Sequence, residues 1–293
     1  CTKVTGFATL YGKLQQKTSV SGKAESTLNN YARCLAHLAL HFDCSPELLD
    51  IEQVEEYLHH LKKMHSTPSD SFFKHTVYGL RYVYRMLGMK DKHISLPAIA
   101  RQKKLPVVMS AEEVRLMLKT PHYLKHRLIL ATLYDCGLRC FELRKVKLTD
   151  VDFNRKMLHV REGKGRKDRY VPISEHLLRG LKKYIQTDGP SIWLFNGQPD
   201  EDGKPTAYSQ RGIQWIVLQT KKEAGIEKPI TTHTFRHSYA THLLENGLDI
   251  VSIKELLGHA HIETTMLYLH VAKSGRQKPF SPLDKLYPPT NTK

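Results

Sequence analysis

Apolar side chains recur every three or four positions through much of residues 1–93, the spacing of helices that turn one face to a core. The pattern is clearest in STLNNYARCLAHLALHF (26–42), IEQVEEYLHHLKKM (51–64) and FFKHTVYGLRYVYRML (72–87). Asp50 stands where the second of these needs an N-cap, and Gly88 where the third needs a stop. The segment HISLPAIARQKKLPVVMS (93–110) breaks the pattern, with Pro97 and Pro106 placed around Arg101, Lys103 and Lys104. It reads as a basic linker. Ser110 and Glu113 then form a capping box that opens the helix SAEEVRLML and with it a second domain.

Beyond this point the periodicity changes. MLHVR (157–161) and RYVPI (169–173) alternate as strands do, and EGKGRKD between them reads as a hairpin loop. Helices are predicted at 174–186 and 209–223, separated by a Gly/Asp/Pro-rich loop at 197–207. TFRHSYATHLLENG (234–247) and DIVSIKELLG (249–258) follow, each ending at a glycine. The fold class expected is mainly α with a small β-sheet (α+β). Its parts are a helical domain over 1–95, a basic linker over 96–107, a second domain over 108–272 and a tail over 273–293. No repeat of fixed period is present.

Composition changes the picture at one point. The chain of 293 residues has 45 Lys+Arg against 29 Asp+Glu, a formal net charge of +16. Such a balance favours a polyanionic partner, of which duplex DNA is the commonest. The excess is shared, with 15 basic and 9 acidic residues in 1–107 and the remaining 30 and 20 downstream. Both domains are therefore expected to meet phosphates, the linker residues Arg101, Lys103 and Lys104 among the contacts. No apolar run is long enough for a membrane span, and the first seventeen residues lack a signal-peptide core. Five cysteines at unpatterned spacing argue against a disulfide framework and for a reducing, cytoplasmic compartment.

The candidate chemistry lies in the second domain. YDCGLRCFEL contains Arg139 and Glu142, three apart and on one face if helical. REGKGRKDRYVPI contains Lys164, THTFRHSYATH contains His233 and Arg236, and LLGHAHIETTMLYLH contains His259 and Tyr268. Each has an ordinary explanation when taken alone: a surface ion pair, a helix-face pair, one more aromatic among 14 tyrosines. Taken in order they form a set for handling a phosphodiester. Arginines neutralise non-bridging oxygens, a lysine and histidines supply protons or hydrogen bonds, and a tyrosine attacks phosphorus. No carboxylate cage for a metal accompanies them, so no metal or other cofactor is expected. His233 and His237 have ligand spacing, but Thr234 stands where a zinc protease needs glutamate. The GKG at 163–165 lacks the strand and helix context of a nucleotide-binding loop. One geometric constraint follows. On a continuous helix His259 and Tyr268 would lie about 13 Å apart, so the chain must turn after Gly258, around 260–262.

The ordered set closely resembles the tyrosine recombinase (phage integrase) family. The resemblance implies a helical core-binding domain, 1–95, that clamps DNA, and a catalytic domain, 108–272. It implies that Tyr268 is the nucleophile of a 3′-phosphotyrosine intermediate, resealed without metal or ATP. Arg139 and Arg236 would clamp the phosphate, Lys164 would protonate the leaving oxygen, His233 would assist proton transfer from the tyrosine, and His259 would hydrogen-bond the phosphate. Glu142 would hold its neighbours in place, and the cationic surround would activate the phenol. The implied function is a site-specific recombinase or integrase of double-stranded DNA, acting in a tetrameric synapse in the bacterial cytoplasm at the nucleoid. A mobile-element integrase is favoured over an Xer-like resolvase, and the tail, through Leu283, Leu286 and Tyr287, is expected to be exchanged between protomers. The competing readings are a type IB-like topoisomerase and a non-catalytic DNA-bridging protein.

Overall fold

In the computed structural model the described residues are 3–23, 25–64, 70–97, 105–161 and 168–272. The chain divides into two compact units, Cys1–Gln102 and Lys103–Lys293. The linker cations Arg101, Lys103 and Lys104 and the tail after residue 272 lie outside the described residues, as does Lys164.

The first unit is helical throughout: α1 (Phe7–Val20), α2 (Glu25–Phe42), α3 (Ile51–Met64), α4 (Asp70–Met86) and the short α5 (Lys90–Ser95). Its core is the sum of the apolar stripes, with Leu35 and Leu38 of α2, Leu58 of α3 and Leu80 and Val83 of α4 all buried. The capping residues act as their identities require. Asp50 accepts from the backbone N–H of Gln53, and the Gln53 side chain accepts in return from the N–H of Asp50.

The second unit surrounds a larger core. It begins with α6 (Ala111–Lys119), where the Ser110–Glu113 capping box forms in both directions. The buried α7 (Leu124–Asp135) and the five-residue α8 (Cys140–Arg144) come next. A three-stranded antiparallel sheet follows: β1 (Val151–Asp152), β2 (Met157–Val160) and β3 (Arg169–Pro172), in the order β1-β2-β3. Leu158, Val160 and Val171 point to the core, and the β2–β3 register pairs Val160 with Arg169. The helices α9 (Glu175–Asp188), α10 (Gln210–Glu223), α11 (Thr232–Glu245), α12 (Ile250–Leu257) and α13 (Glu263–Met266) complete the unit, with a final 3-10 turn at Leu267–His270. Among the described residues the fold is mostly helical with one small sheet, and no helix is long and apolar enough to cross a membrane.

The expected turn after Gly258 is present. Gly258 adopts a left-handed φ of 62° as the C-cap of α12, and α13 then returns the chain. A side chain there would also crowd Arg169, whose Cδ would lie 3.2 Å from an added Cβ.

Candidate active site

The site is assembled from three places distant in sequence: the N-terminus of α8, the start of β3, and the packed surface of α11, α12 and the final turn. Its centre is a carboxylate. Glu142 sits in the first turn of α8, buried, and reaches back to accept from the backbone N–H of Arg139 at 2.9 Å. Arg139 is therefore the extended N-cap residue of this helix, not a member of its face as the sequence spacing suggested. The cap geometry brings its Nη1 to 2.7 Å from Glu142 Oε1.

Two further guanidiniums converge on Glu142. Arg169 makes a paired contact, Nη1 to Oε1 at 3.0 Å and Nη2 to Oε2 at 2.9 Å, while its Nε donates to the carbonyl of Leu256. Arg236, buried in α11, donates to the carbonyls of Gly137 and Leu257 at 2.8 and 2.5 Å and places Nη1 3.7 Å from Glu142 Oε2. The carbonyls of Leu256 and Leu257 belong to the last turn of α12, where a helix has no N–H donors of its own to offer them and carries partial negative charge. The arginines satisfy both needs. Gly137 completes the cradle. Its φ is 58°, and a Cβ would lie 2.4 Å from the Tyr239 ring, so its carbonyl can meet Arg236 only because no side chain is present.

Burial by itself would raise the Glu142 carboxyl. The hydrogen bonds and charge of Arg169, the Arg139 N–H and the charge of Arg236 overcome it and hold the pKa at about 2. Burial and the Arg139 charge draw Arg236 down to about 9, which leaves it cationic at neutral pH. Three guanidiniums thus share one carboxylate. The surplus positive charge makes a site for an anion, and bidentate donors suit a phosphate.

Tyr268 lies in the final 3-10 turn with only 2% of its surface exposed. Its hydroxyl is 3.1 Å from Nδ1 of His237. The His259 ring lies nearly parallel to it, with centroids 6.4 Å apart and planes 15° apart. His259 is itself held by Nδ1 to the Thr265 hydroxyl at 2.9 Å. The turn thus joins two side chains that a straight helix would separate. Burial and the Arg236 charge hold His259 at about 3, and burial, His233 and Arg236 hold His237 at about 4. Both rings are neutral near pH 7. The Tyr268 hydroxyl is raised, because burial outweighs the opposing pull of Arg236 and Arg139. Here low dielectric disfavours phenolate more than the two arginines favour it.

Of the residues singled out in the sequence, Arg139, Glu142, Arg236, His259 and Tyr268 are brought together. His233 is exposed in the first turn of α11, its ring 6.4 Å from that of His237. Lys164 lies outside the described residues, but the base of its hairpin is described: Val160 pairs with Arg169, itself bound to Glu142. Two residues were missed. Arg169 is an alternating strand position in the sequence, and only the fold reveals its double bond to Glu142. His237 follows Arg236 directly, and in the sequence its spacing from His233 points only to metal ligation. Among the described residues, no group of three or more His, Cys, Asp or Glu could hold a metal ion.

The pattern of the phage integrase family matches residues 107–274, and that of the phage integrase N-terminal SAM-like domain matches residues 10–92. A protein named tyrosine recombinase from Thermosipho africanus is 32% identical over 276 residues, covering 90% of this chain and 94% of that protein. Tyrosine recombinase XerD of Staphylococcus aureus is 33% identical over 282 residues, covering 89% and 92%. Among solved structures, the Tn1549 transposon integrase in complex with transposon right end DNA superposes with a TM-score of 0.65 at 16% identity, over 88% of this chain and 94% of that one. XerH bound to its difH substrate gives 0.63 at 21% identity, over 88% and 77%. These two structures speak for the fold. Nothing among these relatives supports the topoisomerase reading.

Proposed function

The chain belongs to the phage integrase family, and we propose that it is a tyrosine site-specific recombinase that cuts and rejoins duplex DNA through Tyr268. One observation carries the reading: a buried tyrosine hydroxyl stands beside neutral histidines, next to three arginines that share a single carboxylate. A phosphodiester held there meets a nucleophile and a surplus of positive charge together. Arg139 and Arg236 clamp the non-bridging oxygens, and their charge stabilises the pentacoordinate transition state. The phosphotyrosine link conserves bond energy, so a 5′-hydroxyl reseals the strand without ATP. Lys164, in the sequence segment that leads into Arg169, protonates the leaving oxygen. His259 hydrogen-bonds the phosphate, and Glu142 and Arg169 keep the arginines in register. The partners are double-stranded recombination sites, joined in a tetrameric synapse. The net charge of +16 supports duplex DNA as the ligand.

The test is a nicked suicide duplex, which traps a covalent protein–DNA adduct. Wild-type protein should form the adduct in excess EDTA, and Tyr268→Phe should bind the same duplex and form none. An adduct with Tyr268→Phe would move the nucleophile elsewhere. Relaxation without strand exchange would favour a topoisomerase.

A further inference from the structure

We propose that His237 is a catalytic residue: its Nδ1 takes the hydroxyl proton of Tyr268 as that oxygen attacks phosphorus. The proposal rests on the recombinase chemistry above and moves to His237 the proton transfer that the family resemblance implies for His233. The geometry selects this ring from three histidines. His237 Nδ1 is 3.1 Å from the Tyr268 oxygen, within reach for proton transfer. His259 faces the phenol as a near-parallel ring, and its Nδ1 is occupied by Thr265. His233 is exposed one turn earlier on α11. Tyr268 is 2% exposed, so bulk water is poorly placed to receive its proton.

The step balances without a further reagent. The Tyr268 O–H bond breaks and its proton goes to Nδ1. The tyrosine oxygen bonds to phosphorus, the phosphorus–5′-oxygen bond breaks, and that oxygen takes a proton from the general acid proposed above. On rejoining, the attacking 5′-hydroxyl bonds to phosphorus and gives its proton back to the group that supplied it in cleavage, the phosphorus–Tyr268 oxygen bond breaks, and His237 returns its proton to that oxygen.

The charged and titratable groups around His237 give the step a built-in condition. His233 and Arg236 stand on its own helix, Arg139 at the start of α8, and Tyr268 and His259 on the returning segment. In the free protein, burial and the cations hold the ring near 4, a weak base. A phosphodiester bound between Arg139 and Arg236 brings an anion that offsets those cations, and an anion nearby favours the protonated imidazole. The base therefore strengthens when the scissile phosphate arrives. Activation is tied to occupancy.

His237→Asn is the informative variant, because the amide can hold the Tyr268 hydroxyl but cannot accept its proton. On the suicide duplex it should bind normally and form adduct about 10²–10⁴-fold more slowly at pH 7, the usual worth of a positioned base. The deficit should shrink as pH rises and hydroxide takes over. A bridging phosphorothioate, whose sulfur leaves without protonation, should not rescue it. Adduct formation within a few-fold of wild type, or full rescue by sulfur, would overturn the assignment. Should the variant not fold, the wild-type profile decides. With His237 as base the rate levels off between pH 7 and 9, whereas a tenfold rise per pH unit over that range would exclude it. No adduct from wild type at any pH would sink the recombinase chemistry and this step with it. A normal wild-type adduct with an unimpaired His237→Asn would sink this step only.

Discussion

The helices α2 and α11 differ in what they bury. In α2 the buried positions are Leu28, Cys34, Leu35, Leu38 and Ala39, a single apolar stripe with polar residues opposite. In α11 they are Thr232, Thr234, Phe235, Arg236, Ser238, Tyr239, Ala240 and Thr241, which face nearly every direction and include a guanidinium. The first helix is held by transfer of apolar surface from water. The second is held largely by hydrogen bonds that must all be made: Ser238 donates to the Thr234 carbonyl and accepts from the Met109 N–H, and Arg236 spans two carbonyls. A buried polar group without a partner is costly, so such a helix has few acceptable arrangements. That stringency is what holds catalytic side chains in place.

The contrast can be broken at either end. Glu142→Ala leaves three arginines without their shared anion, two of them well buried, and should lower the stability of the second unit by about 3–5 kcal/mol. Hydrogen exchange should report the loss in α8, α11 and α12 and not in α2. The converse is Leu38→Ala, at a fully buried site of α2, expected to cost about 2–5 kcal/mol through lost contact and a residual cavity. Here exchange should rise in α2 and α4 while adduct chemistry on a short suicide duplex keeps its rate at saturating protein. Arg236→Lys keeps the charge but cannot reach both carbonyls and a phosphate. We expect adduct formation to slow by about 10²–10³-fold, and the carbonyl left without a donor to cost about 1–3 kcal/mol of stability in thermal melting. Lower melting with adduct formation unchanged at saturating duplex would instead make Arg236 mainly structural. Ser110→Ala removes the hydroxyl that accepts from the Glu113 N–H and should cost only about 1 kcal/mol, measured by denaturant titration.

The same contrast explains what could be read from the sequence. The stripes of α2, α3 and α4 and the caps at Asp50 and Ser110 are local, so their spacing suffices. The buried α7 has apolar residues too continuous to show a period, Leu128, Ile129, Leu130 and Leu133 among them, so the spacing does not mark it as a helix. At the site, an ordered set of motifs identified Arg139, Arg236, His259 and Tyr268 without revealing how they meet. The cap position of Arg139 depends on Glu142 folding back. The roles of Arg169 and His237 depend on partners 27 and 31 positions away. Burial of the phenol, which raises its pKa against the pull of Arg236 and Arg139, is a property of packing alone.

The turn at Gly258 also sets where the chain can change in length. Between Leu257 and Tyr268 the path is tied at Arg236, at the left-handed Gly258 and at the His259–Thr265 bond. One residue inserted within α13 would rotate everything after it by about 100° and turn the phenol away from both histidines. The exposed turn at 200–203 has no such ties to the site, and its backbone is closed by Asp200 alone. Insertions should accumulate there and be purged from the ten residues between Leu257 and Tyr268, a pattern of gaps that a collection of natural variants would display without any assay.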